Sequence, residues 1–153
     1  MFHVQVRSFI TTVITAALVV GSTALPAYAG RSVPAFAGRA PNASDAGCFA
    51  ESFGTQTNIC GDAKLYIVPL PIDVNGSYTA VVSAFSAGWE SFIKCGVYSN
   101  NKDNTAQTSF PWKNVDRFNA PSEISLPFSV PSDGVAWVGC WVWPGGRLNS
   151  VRW

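Results

Sequence analysis

Three tryptophans at alternating positions, Trp137, Trp141 and Trp143, with Gly139 in the gap, are the residues whose type and spacing could recognise a ligand. An indole is a broad, rigid, largely apolar surface with one N–H donor at its edge. Such a surface packs on the C–H face of a pyranose ring, or on apolar side chains of a second protein. Tyr98 and Arg147 are candidate polar companions, a phenol and a guanidinium fork. The competing chemistry is a carboxylate pair, which a glycoside hydrolase needs on either side of the bond it cuts. Nine acids are available: Asp45, Glu51, Asp62, Asp73, Glu90, Asp103, Asp116, Glu123 and Asp133. Most sit beside Gly, Asn, Ser or Pro, where a solvated turn residue is the ordinary reading. Glu51 alone falls inside a strand-like segment, and it reads as an outward-facing residue.

Much other chemistry is excluded by composition. Residues 9–20 form a short apolar run behind Arg7, and Ala27-Tyr28-Ala29 is a small-x-small cleavage signature, so residues 1–29 are expected to be a secretory signal peptide. The 153-residue chain then keeps 124 residues, and it loses Arg7 and its one histidine, His3. What is left has nine basic and nine acidic residues. Without histidine, Ser-His-Asp and Cys-His catalysis and His-based metal sites are not available. A neutral chain without a basic patch is not expected to bind nucleic acid or, once the signal is removed, membranes. No Gly-rich phosphate loop is present, and no cofactor is expected. The segment 100–104 lacks the glycine and terminal glutamate of a calcium loop and reads as a hairpin tip.

Four cysteines, Cys48, Cys60, Cys95 and Cys140, in an exported chain read as two disulfides. Three connectivities are possible, of which Cys48–Cys60 and Cys95–Cys140 are favoured here as a local and a long staple. A zinc site fits poorly, because no Cys-x-x-Cys occurs.

The elements that must hold these residues are strands. Residues 30–46 are rich in Ala, Gly, Pro and Ser and predict a disordered linker. From residue 47 to 153, short apolar runs alternate with turn signals. That pattern predicts an all-β domain, a single β-sandwich of about 7–9 short antiparallel strands. Residues 48–53 and 55–60 flank Gly54 as a hairpin, 64–70 read as an edge strand because of Pro69, and Asn75-Gly76 signals a hairpin turn. Residues 77–86, 92–99 and 123–130 follow as strands. The stretch 105–121 reads as one irregular strand with a long connection. Residues 135–143 form the strand that carries the indoles.

A period of two puts Ala136, Val138, Cys140 and Val142 on one face and Trp137, Gly139, Trp141 and Trp143 on the other. Cys95 and Cys140 have apolar neighbours two residues away, so their face is the core, and the indoles must face outward. Either the indoles are open, wholly or as a Trp141–Trp143 pair, or Phe110-Pro111-Trp112 or the Phe49/Phe53 segment covers them.

The ordering of Cys48-Phe49-Ala50-Glu51-Ser52-Phe53-Gly54, Leu65-Tyr66-Ile67-Val68-Pro69-Leu70-Pro71, Asn75-Gly76, Cys95-Gly96-Val97 and Cys140 with residues 144–151 resembles small secreted bacterial proteins of unassigned function. These in turn resemble jelly-roll carbohydrate-binding modules. The resemblance implies a jelly-roll-like sandwich without catalytic residues. The expected function is a secreted, non-catalytic binder of a polysaccharide or cell-envelope surface through Trp137, Trp141, Trp143, Tyr98 and Arg147. The alternatives are a structural or interaction protein of the envelope and a small carboxylate-dependent glycoside hydrolase.

Overall fold

The computed structural model describes residues 30–105 and 107–153. The expected signal peptide, 1–29, lies outside the described residues. Eleven strands are formed: β1 (Ser32–Pro34), β2 (Phe49–Ser52), β3 (Thr55–Asn58), β4 (Lys64–Leu70), β5 (Gly76–Ser86), β6 (Ile93–Asn100), β7 (Gln107–Ser109), β8 (Lys113–Asn114), β9 (Ala120–Val130), β10 (Val135–Val142) and β11 (Arg147–Arg152). All pairings are antiparallel. A six-stranded sheet runs β2-β3-β11-β5-β9, with β1 also on β11; a five-stranded sheet runs β4-β10-β6-β7, with β8 also on β6. The two sheets form a jelly-roll-like β-sandwich.

The core lies between the sheets and follows the period of two. Along β9 every second residue from Ser122 to Val130 is buried, and β5 contributes Ala80, Val82 and Ala84. The facing sheet contributes Val68, Val97, Val138 and Val142, all close to zero exposure. The two expected disulfides are present. Cys95 and Cys140 are direct cross-strand partners on the core face, with Cα atoms 4.1 Å apart, so this bridge joins neighbouring strands of one sheet and does not cross the sandwich. Cys48–Cys60 closes the open end of the β2–β3 hairpin, whose two-residue turn has Phe53 and Gly54 at positive φ.

Four expectations need correction. The strand count exceeds the predicted range because β1, β7 and β8 are only two or three residues long and carry no period that a sequence pattern can register. Among the described residues of the stretch 105–121 there are two short strands, β7 and β8, both paired with β6, and the start of β9, and not one irregular strand. Asn75-Gly76 is not a hairpin turn: β4 and β5 belong to different sheets, so the segment between them crosses from one to the other. The link 30–46 is not a disordered linker. It pairs β1 with β11, buries Ala35 completely, forms two 3-10 turns and bridges Arg39 to Ile67 on β4. Composition alone missed this because the order comes from partners far along the chain. Gly38 is needed there, since a Cβ would lie 2.4 Å from the Ile67 carbonyl oxygen.

Asn58 joins the sheets at one end. It is fully buried at the end of β3; its Nδ2 donates to the carbonyls of Val142 (2.7 Å) and Asp62 (2.8 Å), and its Oδ1 accepts from the Cys60 N–H (2.9 Å). Its own N–H and C=O pair with Gly146 and Gly145. Every polar group of this buried amide is therefore used, which is the condition for its burial to be tolerated.

Candidate functional site

The outward face of the five-stranded sheet is built from β4, β10 and β6 in register. Trp137 lies between Pro69 and Tyr98, Gly139 between Ile67 and Gly96, and Trp141 between Leu65 and Lys94. Directly opposite residues of an antiparallel pair share a face, so these nine positions form three rows on one surface. Beyond β4 the Arg39 backbone makes both hydrogen bonds to Ile67, 2.8 and 2.9 Å, which extends the middle row to Arg39.

The aromatic contacts on this face are specific. Trp137 and Tyr98 stack with ring centroids 5.9 Å apart and planes 12° apart. Trp112, between β7 and β8, meets Tyr98 edge to face at 5.9 Å and 74°. Its indole rests on Gly96, where a Cβ would come within 3.1–3.4 Å of the ring, and it reaches the Gly139 position at 3.8 Å. Trp112 thus fills the gap in the indole row. The ammonium of Lys94 lies 6.0 Å from its ring centroid. Burial pushes the Tyr98 hydroxyl above the ordinary tyrosine value, with Trp112 acting against it.

Exposure is graded. Trp141 is exposed at 40%, whereas Trp137, Tyr98 and Trp112 are half-buried. The covering segment is therefore Phe110-Pro111-Trp112 in part. Trp112 lies on the face, while Phe110 turns inward against Phe128 at 6.4 Å. The Phe49/Phe53 segment does not reach the indoles: Phe49 packs on Tyr66, and Phe53 stands exposed at the hairpin tip.

Of the expected site residues, Trp137, Trp141 and Tyr98 come together. Trp143 sits one residue past β10, where its N–H donates to the Phe92 carbonyl at 2.9 Å and its ring meets Phe92 edge to face at 5.3 Å, at the rim of the face. Arg147 does not join them. It lies on β11 opposite Phe85 on the other sheet, with its guanidinium 4.9 Å from the Phe85 ring. The reason is that Pro144-Gly145-Gly146 carries the chain across the sandwich, so residues on either side of this turn look in opposite directions. Sequence reasoning missed Lys94, Leu65 and Arg39, and it named Trp112 only as a candidate cover. Lys94 and Leu65 follow from the strand alternation once β10 is known to pair with both β4 and β6; Trp112 and Arg39 carry no such signal.

Most of the carboxylates are engaged by neighbouring donors, and Asp116, which accepts from the Ser122 hydroxyl at 2.8 Å, lines a cavity of about 300 Å³ together with Glu123. Asp45 and Asp62 both bind Lys64, at 3.0 and 3.1 Å, and the first-named carboxyl is held below its ordinary value chiefly by that lysine. Glu123 is held low by a two-pronged pair with Arg152, at 2.6 and 2.7 Å. Asp73 pairs with Arg31, and Glu51 accepts from the Gly54 N–H at 3.1 Å. A general acid needs the opposite shift. An open groove of about 580 Å³ beside Tyr78, Phe110 and Phe128 is at the rim of the core, on the other sheet's side, and carries no carboxylate. Among the described residues, no group of three or more His, Cys, Asp or Glu could hold a metal ion, and no helix is long and apolar enough to cross a membrane.

The chain is similar in fold to a solved carbohydrate-binding module, the C-terminal CBM6 of LamC, a marine laminarinase from Zobellia galactanivorans. The TM-score is 0.52 at 13% identity, over 80% of this chain and 97% of that one. A remoter likeness, to the isomalto-dextranase of Arthrobacter globiformis T6 complexed with panose, has a TM-score of 0.39 at 14% identity and covers 69% of this chain and 17% of that one. No protein-family model and no curated protein matches the sequence.

Proposed function

We propose that this is an exported, non-catalytic carbohydrate-binding protein whose binding surface is the outward face of β4, β10 and β6. The observation that carries the reading is Trp141, exposed on a sheet face that continues into the Trp137–Tyr98 stack. A half-open indole backed by packed aromatics is a rigid, pre-oriented platform, and it loses little conformational freedom when a sugar ring settles on it. The jelly-roll-like fold of a carbohydrate-binding module supports this reading. Asp45 and Glu123, held low by their basic partners, favour adhesion over hydrolysis. Four cysteines all joined in disulfides, together with the apolar run and cleavage signature of residues 1–29, support export.

The test is retention on insoluble cellulose, chitin and β-glucan. The double variant Trp137→Ala/Trp141→Ala removes two central contacts, each worth about 1–2 kcal/mol, so binding should weaken by at least about tenfold. Circular dichroism and the urea midpoint must show that the variant still folds. A folded variant retained as well as the unaltered protein removes the platform from consideration.

A further inference from the structure

We infer that the aromatic face is built for an anionic glycan, one carrying uronate or sulfate groups, with Arg39 and Lys94 as the charge-reading residues. The inference rests on the carbohydrate reading above. It adds the chemical class of the sugar.

The argument is the charge pattern of one sheet face. Lys94 is the direct cross-strand partner of Trp141, and Arg39 that of Ile67, so both side chains rise from the same surface as the indoles. Three strand spacings of about 4.8 Å and a two-residue offset put them roughly 16 Å apart, flanking Trp141 diagonally. The other outward positions of β4, β6 and β10 are apolar, glycine, Tyr98 or Asn100, and none is an acid. Asp103 and Asp133 lie in loops at the far end, and at the near end Lys64 already holds Asp45 and Asp62.

Arg31, Lys64 and Arg152 are each matched to a carboxylate, whereas Arg39 and Lys94, like Lys102, Lys113, Arg117 and Arg147, have no ion pair among the described residues. Lys94 leans on the Trp112 ring, which orients the ammonium without neutralising it. Arg39 is exposed and is anchored by its backbone alone, which leaves its guanidinium fork free for a carboxylate or sulfate. Among its outward strand positions and the bridge residue Arg39, this aromatic face thus carries Arg39 and Lys94 as its only charges, both positive. An extended anionic polymer would be steered to that strip more strongly than a neutral one.

Affinity electrophoresis against matched polymers tests this: dextran against dextran sulfate for sulfate esters, and methyl-esterified against de-esterified polygalacturonate for uronates. At least one anionic member should bind about tenfold more tightly than its neutral partner, and the difference should shrink with added salt. Arg39→Gln/Lys94→Gln should abolish the difference, while Arg117→Gln, at a site away from this face, should not. If the neutral members bind as tightly as the charged ones, or if the Arg39/Lys94 variant keeps the preference, the anionic assignment is overturned and the carbohydrate reading stands. If no polysaccharide in either this panel or the insoluble one is bound, both readings fall.

Discussion

Asn58 is the residue on which the two sheets depend most directly, because its buried amide makes two hydrogen bonds to the β3–β4 loop and one to the end of β10. Asn58→Ala would remove the partner of the buried Val142 carbonyl and of the part-buried Cys60 N–H. The expected loss is about 2–4 kcal/mol, read from the urea midpoint at unchanged slope; Thr57→Ala, one residue away on the outward side, should cost less than about 1 kcal/mol. A loss at Asn58 no larger than at Thr57 would show that water replaces the amide. Nothing around Asn58 in the sequence marks it, since it falls within 55–60, which reads as one arm of a hairpin. Trp137, Trp141 and Tyr98 are the opposite case. Their outward direction follows from alternation against Cys140 and Cys95, and the structure places them on one face. Trp112 was legible only as a candidate cover, because its position depends on Gly96 leaving room for the ring.

The element that most changes the picture is the segment 30–46. Its two ends hold different sheets: Arg31 exchanges backbone hydrogen bonds with Trp153 and pairs with Asp73, and Arg39 exchanges them with Ile67. Between them Ala35 is buried, and its carbonyl accepts from the Tyr66 hydroxyl at 3.1 Å. Burial pushes that hydroxyl from its ordinary value of 10.0 up to about 12. A raised folded value means that the neutral phenol stabilises the fold fully below pH 10 and that this contribution is lost as pH rises toward 12. The melting temperature should therefore fall between pH 10 and pH 12. Tyr66→Phe should reduce that fall, with a residue left by Tyr98, which is raised in the same direction. The variant should also lower the plateau by about 1 kcal/mol for the lost hydrogen bond. An unchanged alkaline limb would remove the assignment. The same segment supplies Arg39 to the candidate site, so the element that composition marks as a linker is part of the proposed binding face.

At the scale of the molecule, the chain changes sheets between β3 and β4, β4 and β5, β5 and β6, β8 and β9, β9 and β10, and β10 and β11. The pairs that hold the sandwich together are consequently distant in sequence, and cross-links across them act on large loops. Cys95–Cys140 spans 45 residues and Cys48–Cys60 spans 12. On the chain-entropy model their removal costs about 4 and about 3 kcal/mol. The paired replacement Cys95→Ala/Cys140→Ala should lower the urea midpoint more than Cys48→Ala/Cys60→Ala does, and its buried side chains add to the loss. The reverse order would mean that the hairpin staple, which also secures the neighbourhood of Asn58, governs stability. Because Cys95–Cys140 lies on the underside of the strands bearing Tyr98, Lys94, Trp137 and Trp141, the same replacement should loosen the platform.

By itself the sequence determined what depends on local alternation and on counting. The all-β class, the hairpin at Gly54, the inward stripe of β9, the two faces of β10 and the expectation of two disulfides all rest on a period of two or on even arithmetic, whereas the choice among three connectivities is decided by the fold. Only the tertiary structure decided which strands share a sheet, since Asn75-Gly76 and Pro144-Gly145-Gly146 read as turns whether the chain folds back or crosses over. That crossing sends Arg147 to the far side of the molecule. It also lets β4 and β6 flank β10, bringing Lys94, Trp112 and Arg39 to the indoles from segments that are remote along the chain. The ordering of residues 30–46 has the same origin, because its partners are β4 and β11 and nothing in its own composition could supply them.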